Sequence, residues 1–99
     1  MIRATTASQT YVLPFDTSEL VAVRIYYSQH GKVVLEKNEE QVQLEGKEIK
    51  WTLTQQETMM FDDDAMVSIQ LHVKTVHGDV LASEVDMVTV GKILKDEVL

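Results

Sequence analysis

The chain contains no cysteine, which excludes disulfide staples, thiolate nucleophiles and Cys-based zinc sites in one step. A small domain without staples depends on its packed core, helped in some cases by oligomerisation. Positive charge is also scarce. Nine Lys and Arg stand against 16 Asp and Glu, for a net charge of -7, so neither nucleic acid nor an anionic membrane is an expected partner. Long apolar runs are missing, and none approaches the roughly 18 residues a membrane helix needs. Met1 to Thr6 lacks the apolar stretch of a secretory signal. The expectation is a protein made in a cytoplasm that stays soluble until it meets a partner. Aromatic residues are few, at 6%, which limits the anchors available for sugar or protein partners.

What remains is ordinary globular composition, 44% hydrophobic and 25% charged over 99 residues, enough for one core and one domain spanning residues 1–99. The dominant signal is period-two alternation, which puts successive side chains on opposite faces of a sheet. Val67, Ile69, Leu71 and Val73 share one face, with Ser68, Gln70, His72 and Lys74 on the other. Val21, Val23, Ile25 and Tyr27 form a second such set. Shorter strands pair Val33 with Leu35, Val42 with Leu44, and Ile49 with Trp51 and Leu53. A last strand runs from Val80 through Val85, Met87 and Thr89. A first strand near Thr10 ends at Pro14, which cannot donate a ladder bond.

Gly31, Gly46 and Gly78 each sit between two strand-like runs, where tight hairpins need positive φ. The spacing therefore predicts an antiparallel, immunoglobulin-like β-sandwich of about seven strands, with strand order open. Thr54-x-x-Glu57 has capping-box spacing and predicts one helical turn near residues 54–60 that crosses between sheets, with Phe61 buried at the corner. Residues 1–8 and 92–99 are expected as arms that order on a partner. The second is either a short amphipathic helix with Ile93, Leu94 and Val98 on one side, or an extended segment.

No constellation points to chemistry. Asp62-Asp63-Asp64 lacks EF-hand spacing and is expected to be a solvated turn. His30 and His77 fall in turns and His72 on a polar strand face, with no His-x-His or Glu-x-x-His spacing. The serines lack a Gly-x-Ser-x-Gly frame, and no phosphate loop or dinucleotide motif occurs. Neither catalytic residues, nor a metal, nor a cofactor is expected. Trp51 alternates in phase with Ile49 and Leu53 and belongs to the core. Tyr26 lies out of phase with its core neighbours and is the partner-facing aromatic. Met59 and Met60, with Met66 nearby, form an adaptable contact surface.

The series Ile2-Arg3-Ala4-Thr5-Thr6, Leu13-Pro14-Phe15-Asp16 and Ile25-Tyr26-Tyr27-Ser28-Gln29-x-Gly31 resembles small phage and prophage proteins of Gram-positive bacteria. Leu53 to Thr58 and Ile69-Gln70-Leu71-x-Val73 belong to the same series, so the likeness spans nearly the whole chain. More loosely, it is similar to the immunoglobulin-like N-terminal domain of phage baseplate upper proteins. The resemblance implies a non-enzymatic virion structural or assembly protein of tail or baseplate type. Its partners would be other phage structural proteins or itself as a homo-oligomer, and its location the host cytoplasm and then the virion. A carbohydrate- or cell-surface-binding module on the same scaffold is the alternative.

Overall fold

The computed structural model describes residues 1–92, 95, 98 and 99. Among the described residues, eight strands form two antiparallel sheets packed face to face as a sandwich. The smaller sheet has the order β1-β5-β4, with β1 Ala7–Val12, β4 Gln43–Glu45 and β5 Glu48–Leu53. The larger runs β3-β2-β6-β7, with β2 Leu20–Gln29, β3 Lys32–Asn38, β6 Val67–Thr75 and β7 Val80–Ala82. β8, Asp86–Val88, continues the edge begun by β7 along the same side of β6. In constant immunoglobulin domains the first, second, fifth and fourth strands share a sheet. Here the second strand lies in the opposite sheet, between the third and the sixth, and β1 pairs directly with β5.

Period-two burial is the reason these segments are strands. β6 alternates without a break, burying Val67, Ile69, Leu71 and Val73. Ile49, Trp51 and Leu53 of β5 face them across the sandwich. β2 buries Val23, Ile25 and Tyr27, but Val21 is exposed. A bulge between Leu20 and Ala22 makes Val21 the extra residue, and Leu20 takes the half-buried place against the core. A second bulge, opposite Tyr27 and Ser28, turns Val33 outward and lets both Val34 and Leu35 pack inward. Val42 packs against the core, whereas Leu44, at the free edge of the smaller sheet, stays exposed.

The turns follow from backbone sterics. His30 at φ 54° and Gly31 at φ 75° form the two-residue loop between β2 and β3, the pattern a twisted hairpin requires. Between the sheets runs α1, Gln55–Thr58. Thr54 Oγ1 accepts from the Glu57 amide at 3.2 Å, and Glu57 Oε1 accepts from the Thr54 amide at 2.9 Å, which completes the capping box. Phe61 follows, fully buried and tilted at 43° against Tyr27 with ring centroids 5.7 Å apart. Burying it contributes about 2–3 kcal/mol. The Trp51 indole N–H donates to the Tyr27 hydroxyl at 2.8 Å, a polar tie through the middle of the core.

Residues 1–8, expected as an arm, are instead tied to the body: Ala7 and Ser8 already belong to β1, and residues 1–6 dock against it. The Arg3 amide donates to Gly91 O at 3.3 Å and the Gly91 amide to Met1 O at 2.6 Å, with Ile2 bridging Gly91 in parallel fashion. Thr58 Oγ1 donates to Thr5 O at 2.7 Å, and Ala4 is buried. The stretch expected as one last strand is broken into β7 and β8 at Ser83, where the Leu71 amide donates to the Ser83 hydroxyl. No helix among the described residues is long and apolar enough to cross a membrane.

Candidate functional site

The side chains singled out in the sequence do not converge. Tyr26 lies on the outer face of the larger sheet, half-buried, its ring edge-on to His72 at 5.1 Å and 81°. With Val33 and Val85 it lines a shallow apolar depression. Met59 caps α1, and its carbonyl accepts from Arg3 Nη2 at 3.2 Å. Met60 is exposed beside it. Val98 is exposed as well, while Ile93 and Leu94 lie outside the described residues.

Folding does bring together two features that looked separate. His30 Nε2 lies 2.9 Å from Asp62 Oδ2 and 3.8 Å from Asp64 Oδ1. The cause is Gln29, buried at the end of β2, whose Nε2 donates to the carbonyls of Asp62 and Ala65 and whose Oε1 accepts from the Asp62 amide. The three donors form an exposed group that could touch one cation. In water, the imidazole and carboxylates satisfy one another, and exposed pairs of this kind contribute little.

The polar outer face of the smaller sheet carries a cleft of about 370 Å³ among Ser8, Thr10, Gln43, Lys50 and Thr52. Its aromatic member, Trp51, is buried from the other side, so there is no exposed ring on which a sugar could stack. Lys50 is drawn to Glu48 at 3.1 Å and Glu45 at 3.5 Å. Its hydrogen bond to Glu48 and the nearby carboxylates hold its pKa above the ordinary lysine value.

The site with the most distinct geometry is the open flank of the sandwich. Moving β2 into the larger sheet leaves β1 as a bare edge facing the β7–β8 edge. Three cavities of about 210, 230 and 190 Å³ follow one another along this seam. They share Gln9, Ile69 and Val88 at one junction, and Tyr11, Leu71 and Ser83 at the next. The Ile2–Gly91 bridge lies at the near end, and Leu13, Phe15 and Leu81 line the far end. Leu81 and Met87 stand exposed along it.

Backbone geometry makes this edge receptive. The Leu13 amide donates to Lys47 O at 2.7 Å, continuing the register in which Tyr11 faces Ile49 and Gln9 faces Trp51. In an antiparallel ladder alternate residues point their amide and carbonyl groups at the partner strand. Ser8, Thr10 and Val12 therefore turn theirs away from β5, toward the seam. Natural edges are usually blunted by charge or shortness. β3 carries Lys32, Glu36 and Lys37, and β4 is three residues long. β1 has six residues and no charge.

Sequence reasoning missed this seam. The signal available was the uncharged stretch from Ala4 to Phe15, in which a lack of charge on either face conceals an edge strand. Comparison with known proteins adds no relative, since no protein-family model, no curated protein and no solved structure matches the chain.

Proposed function

We propose that this chain is a non-enzymatic structural or assembly protein that works through protein–protein contact, with the seam beside β1 as its docking site. The observation that carries the reading is the uncharged edge of β1, with Ser8, Thr10 and Val12 facing outward above a trough whose floor includes Ile69 and Leu71. Edge-strand addition needs both features. Main-chain bonds supply affinity, and alternate side chains enter pockets. The sequence resemblance to phage and prophage proteins supports a setting in a tail or baseplate, where the partners are other structural proteins.

The test is co-expression of the chain with the products of the genes that flank it. The expected result is a stable complex with one of them that Thr10→Pro dissolves, since proline removes an outward-facing donor that an edge strand can lose without unfolding. Urea unfolding followed by Trp51 fluorescence confirms that the variant stays folded. A chain that remains free of every neighbour, or a complex indifferent to Thr10→Pro, overturns the reading.

A further inference from the structure

The charge around the seam narrows what can enter it. Neither wall carries a Lys or Arg, since none occurs from Ala4 to Val23 or from Thr75 to Gly91. The same two stretches hold Asp16, Glu19, Asp79, Glu84 and Asp86. Asp86 is the most telling of these. It lies opposite Ile69 in the β6–β8 ladder, and directly opposed residues share a face. Its carboxylate is therefore on the inward face of its strand, two residues from half-buried Val88. It lines the middle cavity with Trp51, Ile69 and Leu71, and among the described residues no Lys, Arg or His lines that cavity.

A purely apolar strand laid in this trough would strip water from Asp86 and give it no counter-charge, which is costly. An acidic strand would be repelled. A strand that places Lys or Arg on its inward face among apolar residues meets both demands, with apolar side chains over Ile69 and Leu71 and a cation at Asp86. A second copy of this chain brings no such strand through β1, which is uncharged, and it would oppose one acidic rim to another.

Resting on the docking role proposed for the seam, we infer that its occupant is an extended basic segment of a partner protein, in which one Lys or Arg takes a place among the apolar residues of the inward face. The segment adds to β1 along Ser8, Thr10 and Val12 and pairs its inward cation with Asp86. The inward carboxylate, which has no counter-charge in its cavity among the described residues, sets the specificity, because it disfavours every strand that lacks the matching charge.

Two synthetic nine-residue peptides test this on the isotope-labelled full chain, each alternating Thr with Val, with one central Val replaced by Lys in the first and by Glu in the second. The expected result is amide shift changes at Ser8, Thr10 and Val12 with the Lys-bearing peptide, and affinity about fivefold to tenfold above that of the Glu-bearing peptide. That preference should weaken as ionic strength rises. Asp86→Lys, a change at an exposed position, should reverse it. Equal binding of both peptides at β1 refutes the basic partner but leaves the docking role intact. If neither peptide perturbs β1, both readings fall. Protection of the β1 amides by self-association, growing with chain concentration, makes the occupant a second copy and overturns the inference.

Discussion

The ion pair between Lys37 and Glu57 allows a quantitative test of how the corner of the sandwich is held. Lys37 lies near the end of β3, its side chain 8% exposed, and Glu57 lies in α1, 19% exposed. The ammonium sits 2.8 Å from Oε1 and 2.7 Å from Oε2, while Oε1 also accepts from the Thr54 amide. One carboxylate thus ties the larger sheet to the helical turn that crosses between sheets. Lys37→Met keeps most of the alkyl volume and strands the carboxylate. Breaking a fully buried pair this way costs about 3–5 kcal/mol. Glu57 retains some contact with water, so about 2 kcal/mol is expected, or roughly 10 °C in Tm for a domain of this size. Lys37→Met combined with Glu57→Gln removes both charges, keeps a capping residue and should lie within about 1 kcal/mol of the parent.

The pH dependence has a definite sign. Burial raises the Glu57 pKa, but the hydrogen bond from Lys37 and the Thr54 amide outweigh it, so the carboxyl falls below its ordinary 4.5. A carboxyl lowered on folding contributes stability that is complete above its unfolded value and lost as pH drops through the folded one. The difference between parent and Lys37→Met should therefore be largest near neutrality and close below pH 4.5, where a protonated Glu57 leaves Lys37 without a counter-charge. Urea unfolding followed by Trp51 fluorescence at a series of pH values measures this. A deficit of the same size at acid and neutral pH would show that the loss comes from alkyl packing, and the electrostatic account would be wrong.

Other expectations follow from single contacts. Tyr27→Phe removes the acceptor of the buried Trp51 indole N–H and should cost about 1–2 kcal/mol, with a change in Trp51 emission; an unchanged stability means water replaces the hydroxyl. Gln29→Ala deletes a buried amide that fixes Asp62 and Ala65 and should cost about 3 kcal/mol, whereas neighbouring His30→Ala should stay within about 0.5 kcal/mol, both read from urea midpoints. Phe61→Ala empties a fully buried position against Tyr27 and should cost about 3–5 kcal/mol, with calorimetry as the measure.

The parts of the fold that could be read from sequence are those where one physical rule acts alone. β6 and β5 show clean alternation because each has one face fully buried. Gly31, Gly46 and Gly78 mark turns because each has positive φ, and Thr54-x-x-Glu57 marks α1 because the cap is a local hydrogen-bond exchange. Bulges are different. Val21 and Val34 shift the phase of their strands without any residue that announces it, so Val21 and Val33 were expected on the wrong face. Sheet membership is also hidden, because a hairpin fixes which strands pair but not which sheet receives them. The placement of β2 between β3 and β6 opens the seam, and no local pattern encodes that placement. Tyr26 as a partner-facing aromatic and Met59 with Met60 as a contact surface are readings of side-chain pattern, whereas the seam arises from backbone edges and from Asp86 facing inward.

The distribution of polar ties explains how such an opening is compatible with a folded chain. Lys37 to Glu57, Gln29 to the Asp62 loop, and Thr58 to Thr5 all gather around α1 and the ends of the strands it joins. Trp51 to Tyr27 fixes the spacing of the sheets from within. At the seam, by contrast, the lining mixes Ile69, Leu71 and Val88 with Gln9, Thr10 and Asp86, and the bridge from Ile2 to Gly91 lies at one end. A strand added to β1 would break none of those ties. It would cover Ile69 and Leu71 and satisfy the amides of Ser8, Thr10 and Val12, which otherwise bond to water. Docking there adds to the core from outside, so Thr10→Pro and Asp86→Lys should alter binding while leaving the unfolding midpoint nearly where it was.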